Sequence, residues 1–360
     1  MRTIILATLL AAVSLARPLQ DAVEGANVTP ALPRLVIYFQ TMHDSNGRPI
    51  SMLPLITEKH IALTHLIVCS FHINSGSTIH LNDNPPDDPI FDTLWAESEV
   101  LRNAGVTVMG MIGGAAPGSF NSQTLDSTDE ATFNRYYGQV RKLVTTYGLQ
   151  GLDLDVEQPM SQRGVERLIS RLRSDFGDDF VVTLAPVASA LRGGSNLSGF
   201  DYKDLEEHVG DRIGFYNAQF YNGFGSMTNT RAFDAVVSDG WDPRRVVVGQ
   251  LTAPESGGQY VPIDKLNSTI AQLRDSYGEI GGIMGWEYFN SAPGGTSAPW
   301  VWAQEMTDIL RPNGRFRLSI TKEIAENLEI AWRNSVIIDN EHKLSAQVVP
   351  NINYTAMINA

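Results

Sequence analysis

Short apolar runs recur along the chain at intervals of roughly 30 to 43 residues, at 35–39, 63–71, 106–112, 149–156, 180–185, 213–220, 246–251 and 280–286. Most are rich in β-branched or aromatic residues, and few alternate cleanly with polar positions. That is the pattern of strands covered on both faces, as in a parallel sheet. Between the runs the apolar period lengthens to that of a helix. Phe133, Tyr136, Tyr137, Val140 and Val144 stand three and four apart, after Ser127-x-x-Glu130, which reads as a capping box. Val165, Leu168, Ile169, Leu172 and Phe176 repeat that spacing up to Gly177, and Ile263, Leu266, Ile270, Leu273 and Tyr277 follow it more loosely. Eight strand–helix units in about 280 residues predict an α/β fold with a closed (β/α)8 TIM barrel. A doubly wound sheet fits less well, because no Gly-rich phosphate loop follows a predicted strand.

The barrel is assigned to 34–311 as a single domain, followed by a C-terminal extension, 312–360. Within the extension Ile320, Ile324, Leu328, Ala331 and Trp332 are spaced for one more packed helix. Residues 73–97 are long for a strand-to-helix loop, and 73–80 reads as a small hairpin over the top face. Residues 17–33, without apolar period, read as a flexible lead-in or short propeptide. Residues 1–16 hold one Arg and then an apolar run closing on Ser14, Leu15 and Ala16, small-residue chemistry suited to signal peptidase. The run is too short to span a bilayer and lacks the amphipathic period of a buried N-terminal helix. It reads as a secretory signal, which predicts a secreted protein. Sequons at Asn27, Asn196, Asn267 and Asn353, candidate glycosylation sites, agree with export.

Composition narrows the partners. The chain is 43% hydrophobic and 19% charged, ordinary for a protein with a packed core. Its formal charge of −13 argues against nucleic acid or an anionic membrane as partner and leaves a neutral glycan open. Cys69, the one cysteine, lies in an apolar run and reads as a buried thiol, so no intrachain disulfide is expected. The protein is expected to be a monomer.

The fourth run carries the chemistry. Strand period two puts Asp153, Asp155 and Glu157 on one face and Leu152, Leu154 and Val156 on the other. In a barrel the apolar set faces the helices, and the acids rise through the interior toward the C-terminal mouth, where barrel active sites lie. Buried carboxylates are costly unless hydrogen-bonded or protonated, so three in a row point to function. An ion-pair network is one alternative, but no Lys or Arg falls within the other seven predicted strands; Arg34 and Arg245 stand at strand starts, at the opposite end. A metal site is another, although the run lacks the loop geometry of known calcium motifs. None of the seven His lies in a metal-ligand motif, and no metal or cofactor is expected. A serine hydrolase has no support, since no G-x-S-x-G occurs. Crowded carboxylates raise one another's pKa, so one member stays protonated near neutral pH and can donate to a leaving group. Glu157, outermost, can reach a substrate, and Asp155, next inward, can share a proton with it.

At these residues the sequence resembles glycoside hydrolase family 18, whose hallmark D-G-x-D-x-D-x-E appears as 150–157, with Gln150 for the first Asp. The family's S-x-G-G appears as Met111, Ile112, Gly113 and Gly114, with Met for Ser. Its Q-F-Y-N appears intact as Gln219, Phe220, Tyr221 and Asn222, and its strand-eight Trp as Trp286. Tyr38 and Phe71 fall where the family places aromatic lining. The resemblance covers about residues 34–310. Within the family, stretches such as 62–71, 113–120, 155–160 and 286–290 are similar to secreted filamentous-fungal endo-β-N-acetylglucosaminidases. Fungal chitinases share the catalytic motifs and form the alternative.

The resemblance implies a retaining, substrate-assisted reaction on GlcNAc-containing glycans, the N-glycans of glycoproteins foremost. It makes Glu157 the acid and base. Asp155 orients the substrate's acetamido group, Asp153 shares a proton with Asp155, and Tyr221 bonds the acetamido oxygen. Substrate binding falls to Tyr38, Phe71, Gly113, Gly114, Gln219 and Trp286. For Phe71 and Trp286, plain core packing is an equal alternative. A barrel of this family surviving as a lectin would typically lack the Glu, which is present here as Glu157.

Overall fold

Inward and outward side chains alternate along the strands, and that alternation closes the sheet into a cylinder. A computed structural model describes residues 32–314 apart from 75 and 77. Its strands are β1 (Arg34–Phe39), β2 (His65–Ile73), β3 (Ile79–Leu81), β4 (Thr107–Gly113), β5 (Gly151–Asp155), β6 (Val181–Leu184), β7 (Phe215–Gln219), β8 (Val246–Leu251) and β9 (Gly282–Trp286). Parallel pairing runs β1-β9-β8-β7-β6-β5-β4-β2, and β1 pairs with β2 to close the ring. This is the (β/α)8 barrel that the spacing predicts. β3 turns back antiparallel on the end of β2, pairing Phe71 with Leu81, His72 with His80 and Ile73 with Ile79, so the hairpin expected at 73–80 forms, with arms that begin two residues earlier and end one later.

Each parallel strand is followed by a helix: α1 (Pro54–Thr57), α2 (Asp92–Asn103), α3 (Glu130–Tyr147), α4 (Gln162–Phe176), α5 (Tyr202–Val209), α6 (Arg231–Ser238), α7 (Ile263–Tyr277) and α8 (Val301–Leu310). The periodic residues of 133–144 and 165–172 are the buried faces of α3 and α4. The cap of α3 differs from the sequence expectation. Asp129 accepts from the Thr132 amide, and Ser127 instead accepts from the Asp129 amide, because the chain turns into the helix two residues later than the motif implies. Ser161 caps α4, its Oγ accepting from the Gly164 amide.

Two cores result. Leu152, Leu154, Tyr216, Ala218, Val248 and Ile283 belong to the layer between sheet and helices. Val36, Tyr38, Ile67, Cys69, Met109, Met111, Phe215, Val247 and Met284 fill the barrel itself. At the strand-start end Arg34 lies over the Phe215 ring, 4.5 Å from its centroid, and His65 packs edge-on against the same ring. The interior is therefore an apolar plug, closed by Arg34 and His65 below and polar again above. Among the described residues no helix is long and apolar enough to cross a membrane. The signal reading at 1–16, most of the lead-in, Asn27, Asn353 and the helical pattern at 320–332 lie outside the described residues.

Candidate active site

β5 delivers the acids as its period requires. Leu152 and Leu154 pack outward, while Asp153 and Asp155 turn into the barrel, fully buried and 5% exposed respectively. The strand ends at Asp155, so Glu157 stands just beyond it, half-buried at the mouth. Gln150 keeps the strand in place from below, its Oε1 accepting from the Val108 amide on β4.

Asp153 is held by three neutral donors. Tyr38 Oη donates to its Oδ2 at 2.7 Å; Thr183 Oγ1 and Asn217 Nδ2 donate to its Oδ1 at 2.5 and 3.1 Å. Burial raises the Asp153 pKa, and these three hydrogen bonds pull against that rise. Asp155 has fewer donors. Gln219 Nε2 reaches its Oδ1 at 3.2 Å and Glu157 Oε1 at 3.2 Å, while also donating to the Ala185 carbonyl at 2.9 Å. Burial first, then the Glu157 and Asp153 charges, push the Asp155 pKa well above the usual carboxylate range. Both effects favour the protonated form of the cluster. Tyr221, buried at the end of the same β7 face as Asn217 and Gln219, has its phenol pKa pushed up by burial and by Asp155 and Glu157, so it remains a donor.

One glycine lets the neighbouring strand come close, and the next bonds to it. Gly113, at φ +108°, approaches the Asp155 carbonyl so closely that a Cβ there would lie 2.2 Å from it. Gly114 donates its amide to that same carbonyl at 2.9 Å. Their place is thus beside the backbone of Asp155. Trp286, half-exposed at the end of β9, packs on Tyr38 with ring centroids 5.6 Å apart.

The structure therefore brings together Tyr38, Asp153, Asp155, Glu157, Gly113, Gly114, Gln219, Tyr221 and Trp286. Phe71 is the correction. It is fully buried in the layer between sheet and helices, stacked with Trp95 at 6.4 Å and set against Gly110. Period two from Ile67 and Cys69 would have turned Phe71 inward. The β2–β4 register shifts between Val68 and Phe71, and that irregularity reverses the face. Of the described sequons, Asn196 and Asn267 are exposed, and Asn196 Nδ2 donates to the Phe200 carbonyl at 2.7 Å.

Thr183, Asn217 and Glu287 were not singled out by sequence reasoning. For the first two a signal existed: each is a polar residue inside a run otherwise read as buried strand, and Asn217 shares a face with Gln219 and Tyr221. Glu287 accepts from the amides of Gln40 and Thr41 and from Thr41 Oγ1, fixing the end of β1 to the end of β9. Among the described residues no ion pair involves Asp153, Asp155 or Glu157. Among the described residues no three His, Cys, Asp or Glu side chains converge as ligands of a metal ion would.

Comparisons with known proteins agree with this geometry. The profile of the glycosyl hydrolases family 18 matches residues 34–271. A solved fungal endo-β-N-acetylglucosaminidase of that family is 64% identical, with a TM-score of 0.78 over 79% of this chain and 100% of that one. A solved chitinase from Aspergillus fumigatus is 49% identical, with a TM-score of 0.70 over 76% of this chain and 98% of that one. Chitinase 2 of Rhizopus oligosporus is 27% identical over 210 residues, 54% of this chain but only 36% of that protein. The carboxylates of β5, the barrel that presents them and these likenesses lead to one assignment: the chain belongs to glycosyl hydrolases family 18.

Proposed function

We propose that the protein is a secreted, monomeric endo-β-N-acetylglucosaminidase that hydrolyses the β-1,4 bond between the two core GlcNAc residues of N-glycans, with retention and substrate assistance. The observation that carries the substrate class is the 64% identity to a solved fungal enzyme of that activity, across the whole of that enzyme. The observation that supports the chemistry is the Asp153, Asp155, Glu157 and Gln219 cluster.

In this reading the acetamido oxygen of the sugar on the non-reducing side of the scissile bond attacks its own anomeric carbon. The bond to the leaving oxygen breaks, and Glu157 supplies the proton that oxygen needs. Water then attacks the anomeric carbon from the vacated side, Glu157 takes its proton, and the acetamido oxygen is released. Asp155 accepts from the acetamido N–H and offsets the positive charge of the ring intermediate. Tyr221, kept protonated, donates to the acetamido oxygen. Gln219 orients both carboxylates as well as contacting the sugar, and Trp286 floors the site. His80, Asn82, Asp83 and Asn84 line a cavity of about 730 Å³ with Gln40 and Thr41, polar planar chemistry suited to sugar hydroxyls.

The test is digestion of a high-mannose glycoprotein beside soluble chitin oligomers. Loss of the glycan with one GlcNAc left on Asn is the expected mass change. No release, with rapid cleavage of the oligomers, moves the assignment to chitinase, the reading favoured by the 49% identity to the Aspergillus enzyme. Proton NMR of the first-formed anomer checks the mechanism: β is expected, and an initial α-anomer rules it out.

A further inference from the structure

Asp153 is the innermost acid, and the family pattern would place a serine hydroxyl near it at position 111. This chain has Met111 there, fully buried in the apolar plug of the barrel and offering no donor. Two other side chains stand at Asp153 Oδ1 instead, Thr183 from β6 at 2.5 Å and Asn217 from β7 at 3.1 Å. Both are fully buried.

Asn217 is the more telling. Its Nδ2 donates to Asp153, while its Oδ1 is buried and accepts no hydrogen bond among the described residues. An unpaired buried acceptor is costly, so an amide placed this way sacrifices one end for the other. An aliphatic residue would have packed there without that cost, as Met109 and Met111 do on β4. The end that is used points at the acid cluster.

We propose that Asn217 and Thr183 are positioning residues for the reaction: their donors fix Asp153 as the anion of the cluster, so that the shared proton stays on Asp155 until substrate takes its place. The pair does for this chain what the missing hydroxyl at 111 cannot. This rests on the catalytic roles proposed above for Asp155 and Glu157. No covalent bond between heavy atoms changes in the step concerned: as Asp155 turns to the acetamido group its O–H bond breaks and one forms on Asp153. The donors set how readily that transfer reverses. The titratable groups facing Asp153 are Tyr38 from β1, Cys69 from β2, Asp155 from β5 and Tyr221 beyond β7, with Glu157 above them at the strand exit. β4, β8 and β9 contribute the uncharged Met111, Val247 and Met284. Of these neighbours the acids repel a charge on Asp153, leaving Tyr38, Thr183 and Asn217 to stabilise it.

The experiment is the pH profile of kcat/KM for Thr183→Val and Asn217→Leu, on whichever of glycoprotein or chitin oligomer the wild type turns over. Removing one donor to an anion is worth about ten- to a hundredfold in its protonation equilibrium. The acid limb is expected to move up by about one to two pH units. At the optimum kcat falls while KM stays within about threefold, since neither side chain reaches the sugar. Thr183→Ser, which restores the donor, returns the limb to its place. A merely structural role would lower the melting temperature and leave the limb where it was, and that result overturns the proposal. If Asn217→Leu does not fold, the isosteric Thr183→Val decides alone. Failure of the catalytic reading is separable, because it shows as undiminished turnover in Glu157→Gln.

Discussion

Glu157 stands just beyond the end of β5, and one amide ties it to the rest of the cluster. Gln219 Nε2 donates to both Glu157 and Asp155, so in the proposed mechanism a single side chain spans the acid and the partner of the acetamido group. Glu157→Gln keeps the shape and still offers Gln219 an acceptor. The expected result is an unchanged fold by circular dichroism and a turnover at least about 10²-fold lower, the cost of losing general acid–base help. Turnover within a few-fold of wild type would remove Glu157 from the role. At this scale Asp153, Asp155 and Glu157 could be read from the sequence, since carboxylates at period two inside an apolar run have few structural uses. Phe71 could not, because its face depends on a register shift of β2 against β4 that no local pattern records.

At the scale of elements, β4 and β5 meet so closely that only glycine fits at the end of β4. Gly113 combines a φ of +108° with an Asp155 carbonyl 2.2 Å from where a Cβ would stand. The obstacle is backbone, so nothing flexible can give way. Gly113→Ala is expected to cost more than about 2 kcal/mol of stability and to displace Asp155, lowering kcat as well. Chemical denaturation with a parallel activity assay checks both. A variant of wild-type stability and rate would show that the β4 end is not set by this contact. The two glycines were visible in the sequence, but a turn explains a Gly pair as well as a close strand approach does. Only the pairing of Gly113 with Asp155 separates the two.

At the scale of the whole molecule, two buried titratable groups away from the acid cluster, Glu97 and His65, pull stability in opposite directions with pH. Glu97 on α2 accepts from Ser51 Oγ and the Met52 amide, and burial lifts its pKa from 4.5 to about 7. The folded chain thus binds the proton more tightly than the unfolded one, so this group's contribution is full below pH 4.5 and is lost as pH rises to about 7. His65, at the closed end of the barrel, is the reverse: burial, then the Arg34 charge, lower its pKa from 6.5 to about 3. Its contribution is full above pH 6.5 and is lost as pH falls toward 3. Melting curves across pH 3–8 should therefore show opposite trends. The wild type's advantage over Glu97→Gln shrinks as pH rises, and its advantage over His65→Gln grows. Parallel curves for either variant would contradict the burial that drives the effect. Neither group was picked out from sequence, because a lone Glu on a helix and a lone His at a strand start are ordinary surface residues until the fold covers them.

The sequence by itself determined the number and order of strands and helices, the inward face of β5 and the three acids upon it. Those are local consequences of period: two for a strand, three and four for a helix, each readable within a dozen residues. The tertiary structure alone decided which side chains answer those acids. Tyr38, Thr183 and Asn217 reach Asp153 from positions 115, 30 and 64 residues away in the chain. Such partners follow from the closure and register of the barrel, which are properties of all its strands together and are written in no one of them. A register shift of β2 against β4 likewise turned Phe71 outward, and with Met111 offering no donor, those that answer Asp153 come from other strands, a matter of geometry rather than of motif.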